Sequence, residues 1–153
     1  MTEKAKRKPN IQKIGEHKYQ YRNFQVPPDA HDIDIPDGDP YKGQRAYMNM
    51  CAGCHELDQN TSMGPALRYV YMKKAGSSKG FKGYSGLMPQ NQFYWTRSAL
   101  DQFLEDPESM FPDTNMAFWG IKDPYDRACL IEYLHYLRTE TDGSIRKPKR
   151  NII

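Results

Sequence analysis

The chain has 153 residues, which is enough for one compact domain with extensions. Only 38% of the residues are apolar, so the core is thin for a domain of this length. Three cysteines exclude a disulfide scaffold. No apolar run approaches the roughly 20 residues that span a bilayer, and the lysine-rich start lacks the apolar stretch of a Sec-type signal peptide. A soluble protein is therefore expected.

The net charge of +3 is unevenly distributed along the chain. Residues 1–22 carry seven Lys or Arg and two Glu, whereas residues 29–37 carry four Asp and no Lys or Arg. With four prolines and little periodicity, residues 1–37 are predicted to form an irregular N-terminal extension. Residues 141–153 are predicted to form a basic C-terminal tail. No nucleic-acid role is expected for either segment, because no binding motif accompanies the charge.

Three helices are predicted in the central domain, residues 38–140, and each follows a residue whose side chain can cap backbone N–H groups. These caps are Asp39, Thr96 and Asp123. Proline at the first helical position supports the first and third helices. Pro107 is expected to end the second helix, and Gly143 lies past the end of the third.

The segment between the first and second helices, residues 56–94, is rich in Gly, Ser, Asn, Lys and Met and is interpreted as long loops. Long structureless loops are unusual in an ordinary helical bundle. They are understandable if a bound group fills the middle of the domain. The predicted fold class is therefore all-α, with three main helices and long loops.

The sequence MCAGCHE at residues 50–56 contains Cys51 and Cys54 with His55 directly after the second thiol. A zinc site needs four ligands, and Cys129, the remaining cysteine, has no metal-like spacing. A redox dithiol needs its pair beside a βαβ pattern, which the sequence lacks. The third chemistry is C-x-x-C-H attachment of a c-type haem: both thiols form thioethers with the haem vinyl groups, and the histidine ligates the iron.

A low-spin haem carrier needs a second axial ligand, and Met/His ligation is the arrangement that raises the reduction potential of cytochromes c. Five of the eight methionines are candidates, because Met1 is terminal and Met48 and Met50 lie too near the cysteine pair. The candidates are Met63, Met72, Met88, Met110 and Met116. Met116, in FPDTNMAFWGI, lies far enough along the chain to approach from the opposite haem face.

Several ordered motifs across residues 38–140 resemble a mitochondrial-type (class I) cytochrome c. GDPYKGQRAYMNMCAGCH resembles the family's first helix and haem motif, and GPAL (64–67) resembles its Gly-Pro-x-Leu. FLEDP (103–107) and PDTNMAFWGI (112–121) resemble the family's segment before its last helix. LIEYLHYL (130–137) resembles that last helix. The resemblance implies the class I cytochrome c fold, wrapped around one covalently attached haem c.

The resemblance also implies the residues of the haem site. Cys51 and Cys54 would hold the haem covalently, and the resemblance selects Met116 to ligate the iron together with His55. The Pro65 carbonyl oxygen would orient the histidine ring. The other positions would contact the haem, its propionates or its edge. They are Lys73, Tyr84, Trp95, Thr114 and Phe118.

Some positions depart from the family's pattern. Phe103 and Met88 stand where the family has a tyrosine and an asparagine, so a less polar pocket is predicted. Five positions that resemble members of the family's ring of docking lysines carry no positive charge. They are Met50, Glu108, Ser109, Asn115 and Asp123. Attraction to partners would then come from the basic tails, or docking would use apolar and polar contacts with weaker steering.

The resemblance implies an electron-transfer protein rather than an enzyme. It would carry electrons from a quinol–cytochrome c reductase (complex III) to cytochrome c oxidase (complex IV) in the mitochondrial intermembrane space. A monomer is expected when the protein is free, with at most peripheral membrane association. Two alternatives are a haem subunit held permanently in a respiratory assembly and a haem peroxidase, which requires an open sixth iron position.

Overall fold

The computed structural model describes residues 11–15, 18–21, 35–84, 86, 93–139 and 142–145. The described elements are two strands and four helices, and no helix among them is both long and apolar enough to cross a membrane. They are β1 (Ile11–Gly15), β2 (Lys18–Tyr21), α1 (Pro40–Met50), α2 (Arg97–Glu105), α3 (Pro107–Met110) and α4 (Pro124–Tyr136). From residue 35 onward, the described elements are all helices, as predicted.

The three predicted helix caps are confirmed. The Asp39 carboxylate accepts a hydrogen bond from Tyr41 N at 2.9 Å, and the Thr96 hydroxyl accepts one from Ala99 N at 3.2 Å. The Asp123 carboxylate accepts from two backbone N–H groups of the first turn of α4. Each cap satisfies donors that a helix start leaves without an intrahelical partner, which explains why the sequence located these three starts well.

Helix α1 packs directly on α4 at Gly43 and Tyr47. A Cβ atom on Gly43 would lie 1.9 Å from the Cys129 carbonyl oxygen, so only glycine permits this approach. One turn further on, the rings of Tyr47 and Tyr133 are 5.4 Å apart. Cys129 is buried at this crossing, where its Sγ accepts a hydrogen bond from Asp39 N at 3.3 Å. This cysteine therefore connects the start of α1 to α4.

The predicted irregular extension contains regular structure in its described part, because β1 and β2 pair as antiparallel strands. Ile11 pairs with Tyr21 and Lys13 pairs with Tyr19. The sequences IQKI and KYQY supply β-branched and aromatic residues, which favour strands over a short distance. The four prolines of the predicted extension all lie outside these strands, so they do not interrupt the pairing.

The structure adds a detail at one predicted helix end and changes another. Pro107 does end α2, but it begins the short helix α3, because a proline is tolerated in a first helical turn. Helix α4 ends at Tyr136 rather than running toward Gly143. After it, Arg138 N donates to His135 O and Thr139 N donates to Tyr136 O. These tighter turns end the α-helical pattern before the glycine is reached.

A buried ion pair joins α2 to α4. Arg127 Nε donates to the Asp101 carboxylate at 2.8 Å, and Arg127 is only 2% exposed. The same guanidinium donates to the carbonyl oxygens of Ile121 at 2.9 Å and Lys122 at 3.1 Å. Arginine therefore satisfies one carboxylate and two backbone acceptors that would otherwise be buried without partners.

We predict that Arg127→Met lowers the free energy of unfolding by about 3–5 kcal/mol, because it leaves the Asp101 charge buried and unpaired. The measurement is guanidinium unfolding of the haem-loaded protein, followed by circular dichroism. Arg45→Met, at an exposed position of α1, is the matched control and should change stability by less than about 0.5 kcal/mol. Adding Asp101→Leu should restore part of the loss. Equal stability of the two arginine variants would contradict the prediction.

Candidate functional site

A cavity of about 1040 Å³, counting the part open to solvent, lies between the end of α1, helices α2 and α4 and the long loops. Its walls are mainly apolar. The helices contribute Leu100, Phe103, Leu104, Leu130 and Leu134. The apolar stripes of α2 and α4 thus face a space that side chains do not fill.

Eight of the ten predicted site residues line this cavity. They are Cys51, His55, Pro65, Lys73, Tyr84, Trp95, Thr114 and Met116. The other two, Cys54 and Phe118, are not among the lining residues. Cys54 is exposed on the turn after α1, and Phe118 is partly buried against the hydrophobic core. The folded chain therefore brings together residues that are as far apart as Cys51 and Met116 in the sequence.

The two cysteines lie on the turn that ends α1. Cys51 caps the C-terminus of the helix, and its carbonyl oxygen accepts hydrogen bonds from Cys54 N at 3.1 Å and His55 N at 2.9 Å. Burial raises the pKa of the Cys51 thiol to about 11, with a smaller contribution from Cys54. Redox-active cysteines have lowered thiol pKa values, so this environment does not favour the dithiol interpretation.

His55 is held in one orientation. Its Nδ1 lies 2.8 Å from the Pro65 carbonyl oxygen, which can only accept a hydrogen bond. Nδ1 therefore carries the proton, and Nε2 keeps a lone pair that can bind a metal. Burial lowers the pKa of His55, although the hydrogen bond to Pro65 acts in the opposite direction.

Gly64 packs against the flat side of this ring. A Cβ on Gly64 would lie 2.5 Å from His55 Cε1 and 2.6 Å from Nδ1. Thr61, which the sequence analysis missed, holds the turn in place: its hydroxyl donates to Cys54 O at 2.7 Å and accepts from Gly64 N at 3.0 Å. A threonine three residues before a glycine is a recognisable turn pattern, but its connection to Cys54 depends on the fold.

Two polar side chains of the cavity, those of Lys73 and Tyr84, form hydrogen bonds with Ser78. Lys73 Nζ donates to the Ser78 hydroxyl at 3.1 Å, and Ser78 N donates to the Tyr84 hydroxyl at 3.1 Å. All three residues line the cavity. Ser78 is not among the predicted site residues, because this serine lies in a Gly-, Ser- and Lys-rich loop with no periodic pattern. These groups can bind an anionic substituent of a ligand.

An aromatic cluster forms another part of the wall. The Trp95 ring centroid is 4.9 Å from that of Phe103, 5.0 Å from that of Phe93 and 6.4 Å from that of Phe111. Phe103, which replaces a family tyrosine, lines the cavity and adds no hydroxyl to it. The second predicted loss of polarity, at Met88, lies outside the described residues.

Of the four candidate methionines that the structure describes, Met63 and Met116 line the cavity. Met116 follows a turn in which its own N–H donates to the Thr114 hydroxyl at 3.2 Å. Met110 is fully buried elsewhere in the core, and Met72 is 45% exposed. Within the described part of the chain, no group of three or more His, Cys, Asp and Glu side chains could hold a metal ion. A metal bound here would therefore need a ligand outside that set, such as a thioether or a macrocycle.

Comparison with known proteins agrees with this geometry. The Cytochrome c family model matches residues 41–138. The chain is 38% identical over 99 residues to cytochrome c2 of Rhodomicrobium vannielii, covering 63% of this chain and 78% of that protein. It is 37% identical over 102 residues to cytochrome c 2.1 of Caenorhabditis elegans, covering 66% and 91%. Among solved structures, cytochrome cH from Methylobacterium extorquens matches with a TM-score of 0.57 and 35% identity, covering 65% of this chain and 99% of that one.

The fold and the site define a haem protein of the class I cytochrome c type. The chain belongs to the cytochrome c family, whose members bind haem c covalently and transfer electrons without acting as enzymes. Cys51 and Cys54 fit the family's C-x-x-C-H attachment motif, and the cavity has the apolar walls that a haem needs. The predicted fold, cofactor and non-enzymatic role are therefore confirmed. The family match leaves the predicted extension and tail outside it.

We predict that Gly64→Ala lowers the free energy of unfolding of the haem-loaded protein by about 1–3 kcal/mol, because the new methyl group must push the His55 ring away from Pro65. Gly53→Ala is the matched control, since a Cβ at Gly53 meets nothing within 4 Å. Chemical unfolding followed by haem absorbance measures both. Equal stability of the two variants would show that the ring is not held by this contact.

Proposed function

We propose that the chain is a soluble one-electron carrier of a respiratory chain, moving electrons from a quinol–cytochrome c reductase (complex III) to a cytochrome c oxidase (complex IV). The observation that carries the proposal is that His55 and Met116 border one apolar cavity together with the Cys51 thiol. An imidazole and a thioether form the axial pair of high-potential cytochromes c. Occupation of both axial positions leaves no iron site for a substrate, which suits a carrier and not a peroxidase.

His55 would bind the iron through Nε2. Its Nδ1 is engaged by the Pro65 oxygen, so the lone pair is available only on the other nitrogen. A hydrogen bond of this kind fixes the plane of the ring and makes the ligating nitrogen more basic. Gly64 allows the ring to keep that plane, because any side chain there would occupy the same space.

Met116 would be the second axial ligand. Met63 also lines the cavity, but it directly precedes Gly64, which contacts the His55 ring. Met63 therefore belongs to the histidine side of the site. Met116 comes from the separate loop between α3 and α4 and is partly buried, as a neutral thioether ligand should be.

Haem would supply the Fe(II)/Fe(III) couple that carries the electron. The surrounding leucines and aromatic rings would exclude water from the site. Lys73, Tyr84 and Ser78 would bind the propionate end by hydrogen bonds. Trp95 and Thr114 would contact the same region, and Cys54, which points outward from the turn, would hold the haem edge through its thioether.

We place the carrier in the mitochondrial intermembrane space, as a monomer when free and with at most peripheral membrane association. Cytochromes c of Caenorhabditis elegans and of the fungus Gibberella zeae, each about as long as the matched region, support this location. No nucleic-acid partner is part of the proposal. The basic tails remain a candidate source of attraction to anionic partner surfaces.

We predict that Met116→Ala abolishes the sulfur–iron charge-transfer band in the optical spectrum of the oxidised protein and lowers the reduction potential. Loss of a thioether ligand exposes the iron and removes the ligand that stabilises Fe(II). Met63→Ala, at the other methionine of the cavity, is the matched control and should keep the band. Retention of the band in Met116→Ala, or its loss in Met63→Ala, would overturn the assignment of Met116.

A second candidate function is a haem subunit fixed permanently in a respiratory assembly. The contacts at the two ends of the domain favour it, because residues at both ends form hydrogen bonds with side chains of α1 or α4. Asp39 N donates to Cys129 Sγ, Tyr133 OH donates to Gly143 O at 2.6 Å, and the backbone N–H of residue 145 donates to the Gln44 side chain. In this proposal the extension and the tail, which follow on from these contacts, are the anchors.

Fractionation of mitochondria distinguishes the carrier from the fixed subunit. We predict that the chain is released in full by high salt and elutes as a monomer, because a carrier must leave one complex to reach the other. A variant without residues 1–34 and 146–153 serves as a control for weak adhesion through the tails. Co-purification of the full chain with a large complex through high salt would favour the fixed subunit.

A further inference from the structure

Trp119 is the most exposed of the large hydrophobic side chains in the described part of the chain, at 93%. Tryptophan is the residue type that forms the strongest hot spots in protein interfaces. A single exposed apolar residue is common on protein surfaces and needs no explanation by itself. Trp119 differs from such an isolated residue in the conformation of its loop and in its position next to the cavity.

The loop that carries Trp119 is held firmly on both sides. Gly120 adopts φ +97°, and a Cβ there would lie 2.1 Å from the Glu105 carbonyl oxygen. The next residue, Ile121, is buried and donates its N–H to Leu104 O at 2.7 Å. On the other side, Phe118 N donates to Met116 O at 3.0 Å. The exposed ring is therefore presented by an ordered backbone, which reduces the entropy lost on binding.

Trp119 also lies close to the mouth of the cavity, which we define by Met63, Lys74, Gly83 and Asn115. These four residues line the cavity and are exposed, so they mark where it opens to solvent. Asn115 Nδ2 donates to Gly83 O at 3.4 Å and joins two of its sides. Trp119 is four residues after Asn115 and three after Met116, so its Cα lies at most about 11 Å from that of the proposed iron ligand.

The charges beside Trp119 do not replace a ring of lysines. Asn115 is uncharged, and Asp123 caps α4 with its carboxylate. Lys122 donates to Glu105 O at 2.8 Å, so its ammonium lies at the C-terminal end of α2, where the helix dipole attracts it. A partner that met this region would find an exposed aromatic ring beside separate lysines, Lys74 in the cavity wall and Lys122 at the end of α2.

We propose that Trp119 is the anchor through which a redox partner docks at the mouth of the cavity. The partner is a protein that offers an uncharged apolar or aromatic pocket next to its own redox centre. Burial of the ring in that pocket supplies binding energy that salt does not screen, at a residue whose Cα lies at most about 11 Å from that of Met116. This inference rests on the proposed function, since it names the contact by which the carrier exchanges electrons.

The test uses the full, haem-loaded chain with quinol–cytochrome c reductase and cytochrome c oxidase from the same organism, in detergent. Trp119→Ala should raise the apparent KM for at least one of these complexes by on the order of thirtyfold, the effect of losing one interface hot spot. Trp119→Phe should retain most of the affinity. Tyr69→Ala is the matched control, because Tyr69 is an exposed aromatic residue, 49% accessible, that does not line the cavity. Optical spectra should be the same for all variants.

The dependence on ionic strength gives a second measurement. The ratio of the KM values of Trp119→Ala and the unsubstituted chain should stay constant between low and high salt, because an apolar contact is not screened. Equal KM values for Trp119→Ala and Tyr69→Ala, with normal electron transfer, would overturn the inference and leave the carrier function intact. If the unsubstituted chain exchanges electrons with neither complex, both the inference and the proposed function are wrong.

Discussion

The close contact between α1 and α4 at Gly43 determines where the rest of the site lies. Because no side chain separates that residue from the Cys129 carbonyl oxygen, the two helices cross at backbone distance. Helix α1 ends in Cys51, so the crossing fixes the attachment motif relative to α4. Helix α4 in turn presents Leu130 and Leu134 to the cavity. One glycine thus sets the distance between the covalent attachment and the opposite apolar wall.

The cavity accounts for the composition of the chain. A sequence with 38% apolar residues can still fold around a large apolar group, because that group replaces side chains in the middle of the domain. The few polar groups in the wall have defined partners: His55 bonds to Pro65, and Lys73 and Tyr84 converge on Ser78. Phe103 makes the wall of the cavity less polar still. Each remaining polar contact is stronger in a site of low polarity.

Local patterns explain which features the sequence could predict. The caps at Asp39, Thr96 and Asp123 act within three residues, so the helix starts were predictable, and the C-x-x-C-H motif carries its own chemistry. Ser78 was not predictable because its bond to Lys73 lies in a loop without a periodic pattern, and the role of Cys129 was not predictable because its partner Asp39 is 90 residues away. The pair of strands was missed because neighbouring prolines outweighed a strand pattern only four or five residues long.

The outside of the domain divides into two surfaces with different physical roles. The segments that lead to the basic ends are fastened to α4 at Cys129 and Tyr133, whereas Leu130 faces the cavity. Successive residues of a helix point about 100° apart, so the contact of Cys129 with Asp39 lies beside the cavity wall that Leu130 forms rather than in it. Charge acts over roughly 8–10 Å at physiological salt and speeds encounter, whereas apolar contact acts only on touching and slows dissociation. If the basic ends attract a partner and Trp119 holds it, as we propose, separate parts of the sequence control how fast the carrier finds a partner and how long it stays bound.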